Sequence, residues 1–169
     1  GNAQLYGVEL DSITGRIAKQ LYPKANITVS GFEHVNLPDN SIDLAVGNVP
    51  FGNYRLSDPR YKQYAFLIHD YFFAKTLDKV RTGGIVAFIT SKGTMDKQDT
   101  AVREYLAQRA DLLGAVRLPS SAFSKTANTE VTTDILFLQK RDTPPEQLPD
   151  WVQLGKTADG IPVNRYYEQ

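Results

Sequence analysis

The chain carries the stretch IDLAVGNVPFG at residues 42–52. Its first six residues form a nearly continuous apolar run, which is typical of a strand buried on both faces of a parallel sheet. Asn48 and the Pro50-Phe51 pair then begin a loop. Because ligands of open α/β sheets bind just beyond the carboxyl ends of the strands, we expect a functional site in this loop.

Strand and helix signals alternate on both sides of this stretch. Strands are predicted at residues 4–9, 27–30, 42–47, 85–90, 112–118 and 131–140. Helices are predicted at residues 12–22, 63–80 and 99–110, with the Gly83-Gly84 pair as the stop after the second. This alternation favours an α/β architecture with a mostly parallel sheet and helices on both faces.

The proline pattern predicts where the folded domain ends. Three prolines lie between Asp142 and Asp150, and no clear period follows them. We therefore expect a domain over residues 1–141, followed by a Pro-rich linker and C-terminal tail over residues 142–169.

Composition excludes several classes of protein. Lys+Arg and Asp+Glu balance at 19 each, whereas a protein that coats DNA is usually basic. The absence of Cys excludes disulfides and thiolate zinc sites, and we expect no metal site. Because no apolar run approaches the roughly 20 residues that span a membrane, we expect a cytoplasmic protein.

The loop at residues 48–51 has the chemistry to hold an amino group. Pro50 keeps Val49 extended, so that the Val49 carbonyl can accept hydrogen bonds beside the Asn48 side chain. Phe51 offers a flat ring. Two adjacent acceptors and an aromatic plate suit the exocyclic amine of a flipped base, whose delocalised lone pair makes it a poor nucleophile. An ordinary turn is the alternative for an isolated motif.

Glu9, at the end of the first predicted strand, is a second candidate. An acid there can accept hydrogen bonds from a ribose diol. The alternative is a surface acid stabilised near a helix N-terminus. Lys92, Lys97 and Arg103 are candidates for phosphate contacts, although scattered surface charge explains them equally well.

The motif Asn48-Val49-Pro50-Phe51 resembles the Asn/Asp-Pro-Pro-Tyr/Phe/Trp catalytic motif of S-adenosylmethionine-dependent amino-methyltransferases, in particular the N6-adenine DNA methyltransferases. Val49 stands at the first proline position of that motif. Since the acceptor there is a backbone carbonyl, we expect Val49→Pro to maintain or raise the methylation rate. The sequence of residues 47–52, GNVPFG, is also similar to the methylase regions of large helicase–methylase proteins on mobile elements.

The resemblance implies a role for residues elsewhere in the chain. Glu9 is similar to the family's ribose-binding acid, and Phe32 to an aromatic residue beside the cofactor adenine. The acid that precedes this aromatic in the family is replaced here by Gly31. Phe123 is similar to a residue that packs on the flipped base, as Phe51 also would.

Taken together, the resemblance implies a Rossmann-like methyltransferase fold, S-adenosylmethionine as cofactor, DNA as partner and methyl transfer to adenine N6, as in restriction–modification. The family's first strand and Gly-rich turn are missing, so we expect a fragment that is inactive alone and self-associates through an exposed sheet edge. Two alternatives remain: a catalytically inactive methyltransferase-like interaction module, and a protein glutamine N5-methyltransferase.

Overall fold

The computed structural model describes residues 3–119 and 132–168, which form two compact units. The N-terminal unit comprises Gly1–Leu37 with Ser57–Pro59, and the main unit comprises the remaining residues. Within the described ranges no helix is both long enough and apolar enough to cross a membrane.

The N-terminal unit is a single β-α-β motif. Its elements are β1 (Tyr6–Glu9), α1 (Ser12–Leu21) and β2 (Asn26–Val29), followed by a 3₁₀ turn at Phe32–His34. The strands pair in parallel, with Glu9 opposite Val29. Asp11 caps α1 because its side chain accepts hydrogen bonds from the N–H groups of Ile13 and Thr14, at 3.0 and 2.7 Å. The carboxyl ends of β1 and β2 therefore meet at one edge of the motif.

Helix α1 packs on its own sheet through a glycine. Gly15 is its buried residue, and a Cβ at this position would lie 2.5 Å from the Val29 side chain. The predicted apolar face is present, but Ile13, Ile17 and Leu21 are 60%, 51% and 67% exposed. Close approach at Gly15 thus fixes the helix, while its larger apolar side chains remain uncovered.

The main unit is built around a four-stranded sheet. Its elements are β3 (Ile42–Asn48), α2 (Ile68–Lys79), β4 (Val80–Ser91), α3 (Gly93–Asp96), α4 (Ala101–Ala107), β5 (Ala110–Leu118) and β6 (Thr133–Lys140). The strand order is β3-β4-β6-β5. Strands β3, β4 and β5 run in one direction, and β6 runs antiparallel to both of its neighbours. The sheet is therefore mixed, with three strands in the predicted common direction.

Strand β3 is less buried than its sequence indicates. The prediction of burial on both faces is wrong, because Leu44 and Val46 are 56% and 72% exposed. The two side chains lie on the same face of the strand. Among the described residues, β3 pairs only with β4. The core lies instead against β4, where the Phe73 and Phe88 rings meet edge to face with centroids 5.2 Å apart.

The junction between α2 and β4 differs from the prediction. The helix begins at Ile68, after a separate 3₁₀ turn at Lys62–Tyr64, and β4 begins directly after it at Val80. The glycine pair lies inside β4, where pairing with β3 is irregular. A Cβ on Gly84 would lie 2.9 Å from the Asp43 carbonyl oxygen, so close approach between backbones requires glycine there.

The C-terminal segment is part of the main unit. It contains the 3₁₀ turns Asp150–Val152 and Arg165–Tyr167, and an antiparallel hairpin of β7 (Leu154–Lys156) and β8 (Pro162–Asn164). The buried Asn164 amide donates to the carbonyls of Met95 and Trp151 at 2.8 and 2.7 Å. These bonds tie the segment to α3, so the linker predicted from residue 142 leads into packed structure. The assignment of catalysis to residues 1–141 stays a prediction.

Candidate active site

The loop at residues 48–51, which is predicted to bind the target amine, is anchored to the sheet where β3 ends. Asn48 is the last residue of β3 and stands opposite Ile89 of β4. The next N–H group, that of Val49, donates to the Ile89 carbonyl at 3.1 Å. The Val49 side chain is 3% exposed. The β3–β4 pairing thus extends one residue past the strand, and Val49 anchors the start of the loop.

The flanking side chains are accessible. Asn48 is exposed, Pro50 is half-buried and Phe51 is 40% exposed. An amide and an aromatic ring are therefore both open to a ligand, on either side of the buried Val49. That Asn48 accepts from a target amine and Phe51 stacks on its base stays a prediction. No peptide bond among the described residues is cis.

The far end of the loop contains a contact that the sequence reasoning missed. A Cβ on Gly52 would lie 2.6 Å from the Tyr54 ring, which is 52% exposed. The Tyr54 carbonyl accepts a hydrogen bond from the Ile68 N–H at the start of α2, at 2.9 Å. Gly52 therefore makes room for a second exposed aromatic ring near Phe51 in sequence. The aromatic residue two positions after a glycine was the available signal.

The predicted cofactor residues lie at the carboxyl edge of the N-terminal unit. Glu9 ends β1, and its Oε1 accepts a hydrogen bond from the Asp11 N–H at 2.9 Å. The Glu9 carbonyl accepts from the Ser30 N–H at 3.0 Å, which holds the ends of β1 and β2 together. Phe32 is half-buried and begins the 3₁₀ turn after β2. An oriented carboxylate and a ring thus share one edge.

The basic residues considered for phosphate contacts differ in exposure: Lys92 and Lys97 are exposed, whereas Arg103 is buried. Arg103 is 1% exposed and donates to the carbonyls of Val152 and Lys97 at 2.7 and 2.8 Å. Burial lowers the pKa of its guanidinium. Arg103 is therefore a packing residue, and its proposed contact with phosphate is wrong.

Arg117 in β5 is likewise engaged within the protein. Its guanidinium makes two hydrogen bonds to Asp134, at 2.8 and 2.9 Å, and an ion pair with Asp96 at 2.8 Å. It also lies 4.3 Å from the centre of the Tyr167 ring. Burial favours a lower pKa for Arg117, but the hydrogen bonds that Arg117 donates to Asp134 and Asp96 outweigh it and raise the pKa. The sequence signal for this ion pair was the acidic Asp134 within the otherwise largely apolar strand β6.

Two other expectations concern Phe123 and metals. Phe123 lies outside the described residues, so its predicted contact with the flipped base stays a prediction. Within the described ranges, no group of three or more His, Asp or Glu side chains is placed to hold a metal ion.

Comparison with known proteins identifies the family. A family model described as N-6 DNA Methylase matches residues 1–148. The chain belongs to the N-6 DNA methylase family. The sequence is 33% identical, over 138 residues, to the "Defense against restriction protein B" of Escherichia phage P1. The match covers 78% of the chain and 6% of the phage protein.

Solved methyltransferase structures resemble the chain in fold. A putative class I S-adenosylmethionine-dependent methyltransferase from Listeria monocytogenes matches 86% of the chain and 48% of its own length, with a TM-score of 0.67 and 21% identity. A modification subunit of a putative type I restriction enzyme from Vibrio vulnificus YJ016 matches 97% and 47%, with a TM-score of 0.66 and 17% identity. The fold is thus a Rossmann-like methyltransferase fold, and the chain spans less than half the length of each of these relatives.

Proposed function

We propose that the protein containing this chain methylates the N6 amino group of adenine in DNA, with S-adenosylmethionine as the methyl donor. The observation that carries the proposal is the placement of Asn48 and Phe51. Both are exposed at the carboxyl end of β3, where Asn48 is the last strand residue, and the buried Val49 between them is bonded to β4. Family membership supports this choice among amine-binding functions.

The chemistry follows from the acceptors in the loop. The Asn48 side-chain oxygen and the Val49 carbonyl accept the two N–H groups of the target amine, while Phe51 stacks on the base. Accepting both bonds draws the nitrogen toward tetrahedral geometry and localises its lone pair for attack on a methyl carbon. A nitrogen–carbon bond forms, the sulfur–carbon bond of the donor breaks, and the nitrogen loses one proton to solvent. Bound S-adenosylmethionine supplies the electrophilic methyl group.

The N-terminal unit has residues that fit the nucleoside part of this cofactor. The Glu9 carboxylate is held in one orientation by the Asp11 N–H, as recognition of a ribose diol requires. Phe32 presents a half-buried ring beyond the neighbouring strand. We assign Glu9 to the ribose and Phe32 to the adenine. Because the relatives that the chain resembles come from a phage and from bacteria, whose DNA lies in the cytoplasm, we propose a cytoplasmic location for the activity.

A second proposal concerns self-association through β3. Leu44 and Val46 form an exposed apolar pair on this strand, and unpaired strand edges favour pairing between copies. We expect the apparent mass in light scattering to rise with concentration, and Leu44→Ser/Val46→Thr to suppress the rise. A concentration-independent monomeric mass for the unmodified chain would contradict the proposal.

The substrate class is tested with a labelled methyl group. The full-length protein is incubated with labelled S-adenosylmethionine and either plasmid DNA or glutamine-containing peptides. We expect label in the DNA, recovered as N6-methyladenine after digestion. Label in the peptides alone would favour the amide methyltransferase, and label in neither substrate would favour the interaction module.

A further inference from the structure

A pocket of about 260 Å³ lies at the edge of the main sheet that is opposite to the candidate catalytic loop. Two segments line it: Gln108 and Arg109, which directly precede β5, and residues 140–144, which begin with the last residue of β6. Strands β5 and β3 run in one direction and β6 runs against them, so both segments lie at the edge where β3 begins. The pocket is therefore separate from the loop at residues 48–51.

The register of the sheet brings three basic residues to this pocket. Ala110 is the partner of Lys140 in the β5–β6 pairing, and the Arg141 N–H donates to the Arg109 carbonyl at 2.8 Å. The pairing thus continues one residue past the strands. Arg109, Lys140 and Arg141 are far apart in the sequence, but the backbone holds them as neighbours around one cavity.

The side chain of Arg109 is fixed against helix α4. Its Cζ lies 3.6 Å from the centre of the Tyr105 ring, and its Nη1 donates to the Tyr105 carbonyl at 3.0 Å. Tyr105 is 8% exposed, so it provides a packed platform for the guanidinium. The remaining N–H groups of the guanidinium lie in its plane, in the fork arrangement that suits phosphate oxygens. Arg109 therefore has little freedom to lose when an anion binds.

The charges of Arg109 and Lys140 are not neutralised by direct ion pairs. Lys140 donates to the side-chain oxygen of Asn40 at 2.7 Å and to the Val80 carbonyl at 2.9 Å, both of which are uncharged. Arg109 likewise donates to a carbonyl. In the part of the chain that the structure describes, neither residue has a carboxylate within ion-pair distance. An anion in the pocket would supply the missing partner.

Nearby acids moderate this positive charge without removing it. Asp142 lines the pocket and is exposed, and Asp111 pairs with Arg141. Burial lowers the pKa of Lys140, and the carboxylates Asp78 and Asp39 offset only part of this effect. The side chains that line the pocket thus carry three positive charges and one negative charge.

We propose that this pocket binds a phosphate group, held by Arg109 and Lys140, with Arg141 adding attraction. Phosphate has enough acceptor oxygens to meet a guanidinium fork and an ammonium group at once. The volume of about 260 Å³ is below the range of about 300–1,000 Å³ that is typical of pockets for whole drug-sized ligands. The pocket therefore accommodates phosphate groups rather than a complete nucleotide. The proposal does not depend on the methyltransferase function.

Calorimetric titration of the full-length protein tests the proposal with two probes, inorganic pyrophosphate and a DNA duplex. Arg109→Gln removes the charge and keeps a side chain that can donate hydrogen bonds. We expect it to weaken binding by about tenfold or more, because a hydrogen bond between charged groups is lost. Arg165→Gln, which removes an exposed cation outside the pocket, is the matched control and should leave the affinity unchanged.

Asp142→Asn tests the proposal with a change of opposite sign, which a folding defect would not produce. The substitution removes the one carboxylate that lines the pocket, at an exposed position. We expect the affinity to rise by about twofold or more, because the repulsion between the carboxylate and the anion is lost.

The two probes distinguish the sources of the phosphate group. Changes of these signs with pyrophosphate alone would support the proposal and identify a free phosphate compound as the ligand. The same changes with the duplex would support it and identify a phosphate of the DNA backbone. Binding of neither probe, equal affinities of Arg109→Gln and Arg165→Gln, or no gain for either probe in Asp142→Asn would overturn the proposal.

Discussion

The backbone N–H of Val49 donates to the carbonyl of Ile89 at 3.1 Å, which extends the β3–β4 pairing into the candidate catalytic motif. The Val49 side chain is also buried, at 3% exposure. This residue therefore has two anchors, of which proline can supply neither the N–H donor nor the same packing. The relationship argues against the sequence-based expectation that proline would serve at least as well there.

The first prediction is that Val49→Pro lowers stability. It removes the donor to Ile89 and leaves a carbonyl with one fewer partner, at a cost of about 1 kcal/mol or more in the free energy of unfolding. We expect a lower thermal midpoint and no rise in methylation rate. Val49→Ala, which keeps the N–H but loses buried side-chain atoms, serves as the comparison. Stability equal to that of the unmodified protein would show that the hydrogen bond contributes nothing.

The second prediction concerns the Arg117–Asp134 pair, which joins directly opposed residues of β5 and β6. The Asp134 side chain is fully buried. Asp134→Ala removes the carboxylate to which the part-buried Arg117 donates two hydrogen bonds. We therefore expect the free energy of unfolding, measured in urea, to fall by about 3 kcal/mol. Asp111→Ala removes an exposed partner of Arg141 and should cost less than about 1 kcal/mol. Similar losses in both variants would contradict this ranking.

The third prediction is a pH dependence that originates at Asp39. Its carboxylate accepts hydrogen bonds from Lys79 at 2.7 Å and Arg60 at 2.8 Å. The bond from Lys79, followed by that from Arg60, lowers the pKa of Asp39 below its usual 3.8. A lowered pKa in the folded state means that the stabilisation is present above pH 3.8 and is lost as the pH falls through the folded-state value.

Asp39→Asn should therefore reduce stability at neutral pH and flatten the decline below about pH 4. The measurement is the thermal midpoint between pH 3 and pH 7, with Asp159→Asn at an exposed turn as control. If the thermal midpoint of Asp39→Asn falls with decreasing pH as steeply as that of the unmodified protein, this carboxylate does not contribute to the pH dependence.

The fourth prediction concerns Phe51, which is 40% exposed at the candidate site. Stacking of a base on an aromatic ring contributes about 1–3 kcal/mol. Phe51→Ala should therefore raise the KM for DNA by about tenfold or more, whereas Phe51→Trp, which keeps a flat ring, should retain most of the affinity. Equal KM values for both variants would mean that the ring does not contact the base.

Local sequence signals predicted the parts of the fold that depend on neighbouring residues. The start of α1 at Ser12 and the end of β3 within one residue of the predicted Gly47 are examples, because helix capping and strand termination are decided within a few positions. The placement of the Tyr54 ring against Gly52 was missed because it depends on the path of the loop after β3.

Contacts between distant parts of the chain could not be predicted in this way. The antiparallel placement of β6 and the bond from Asn164 to Met95 join residues far apart in sequence, and no local pattern encodes them. The exposure of Leu44 and Val46 likewise depends on which distant elements pack against β3. An apolar run shows that a strand can be buried, but the neighbouring elements decide whether it is.

The most direct test of the central claim is the rate of N6-methyladenine formation in plasmid DNA by full-length Asn48→Ala. Asn48→Asp, which keeps a side-chain acceptor, is the matched control, and circular dichroism confirms that both are folded. We predict that Asn48→Ala loses about 10²-fold or more in rate, as expected when an oriented hydrogen-bonding group at a reacting centre is removed, and that Asn48→Asp retains more of it. A folded Asn48→Ala that methylates DNA at the unmodified rate would contradict the account.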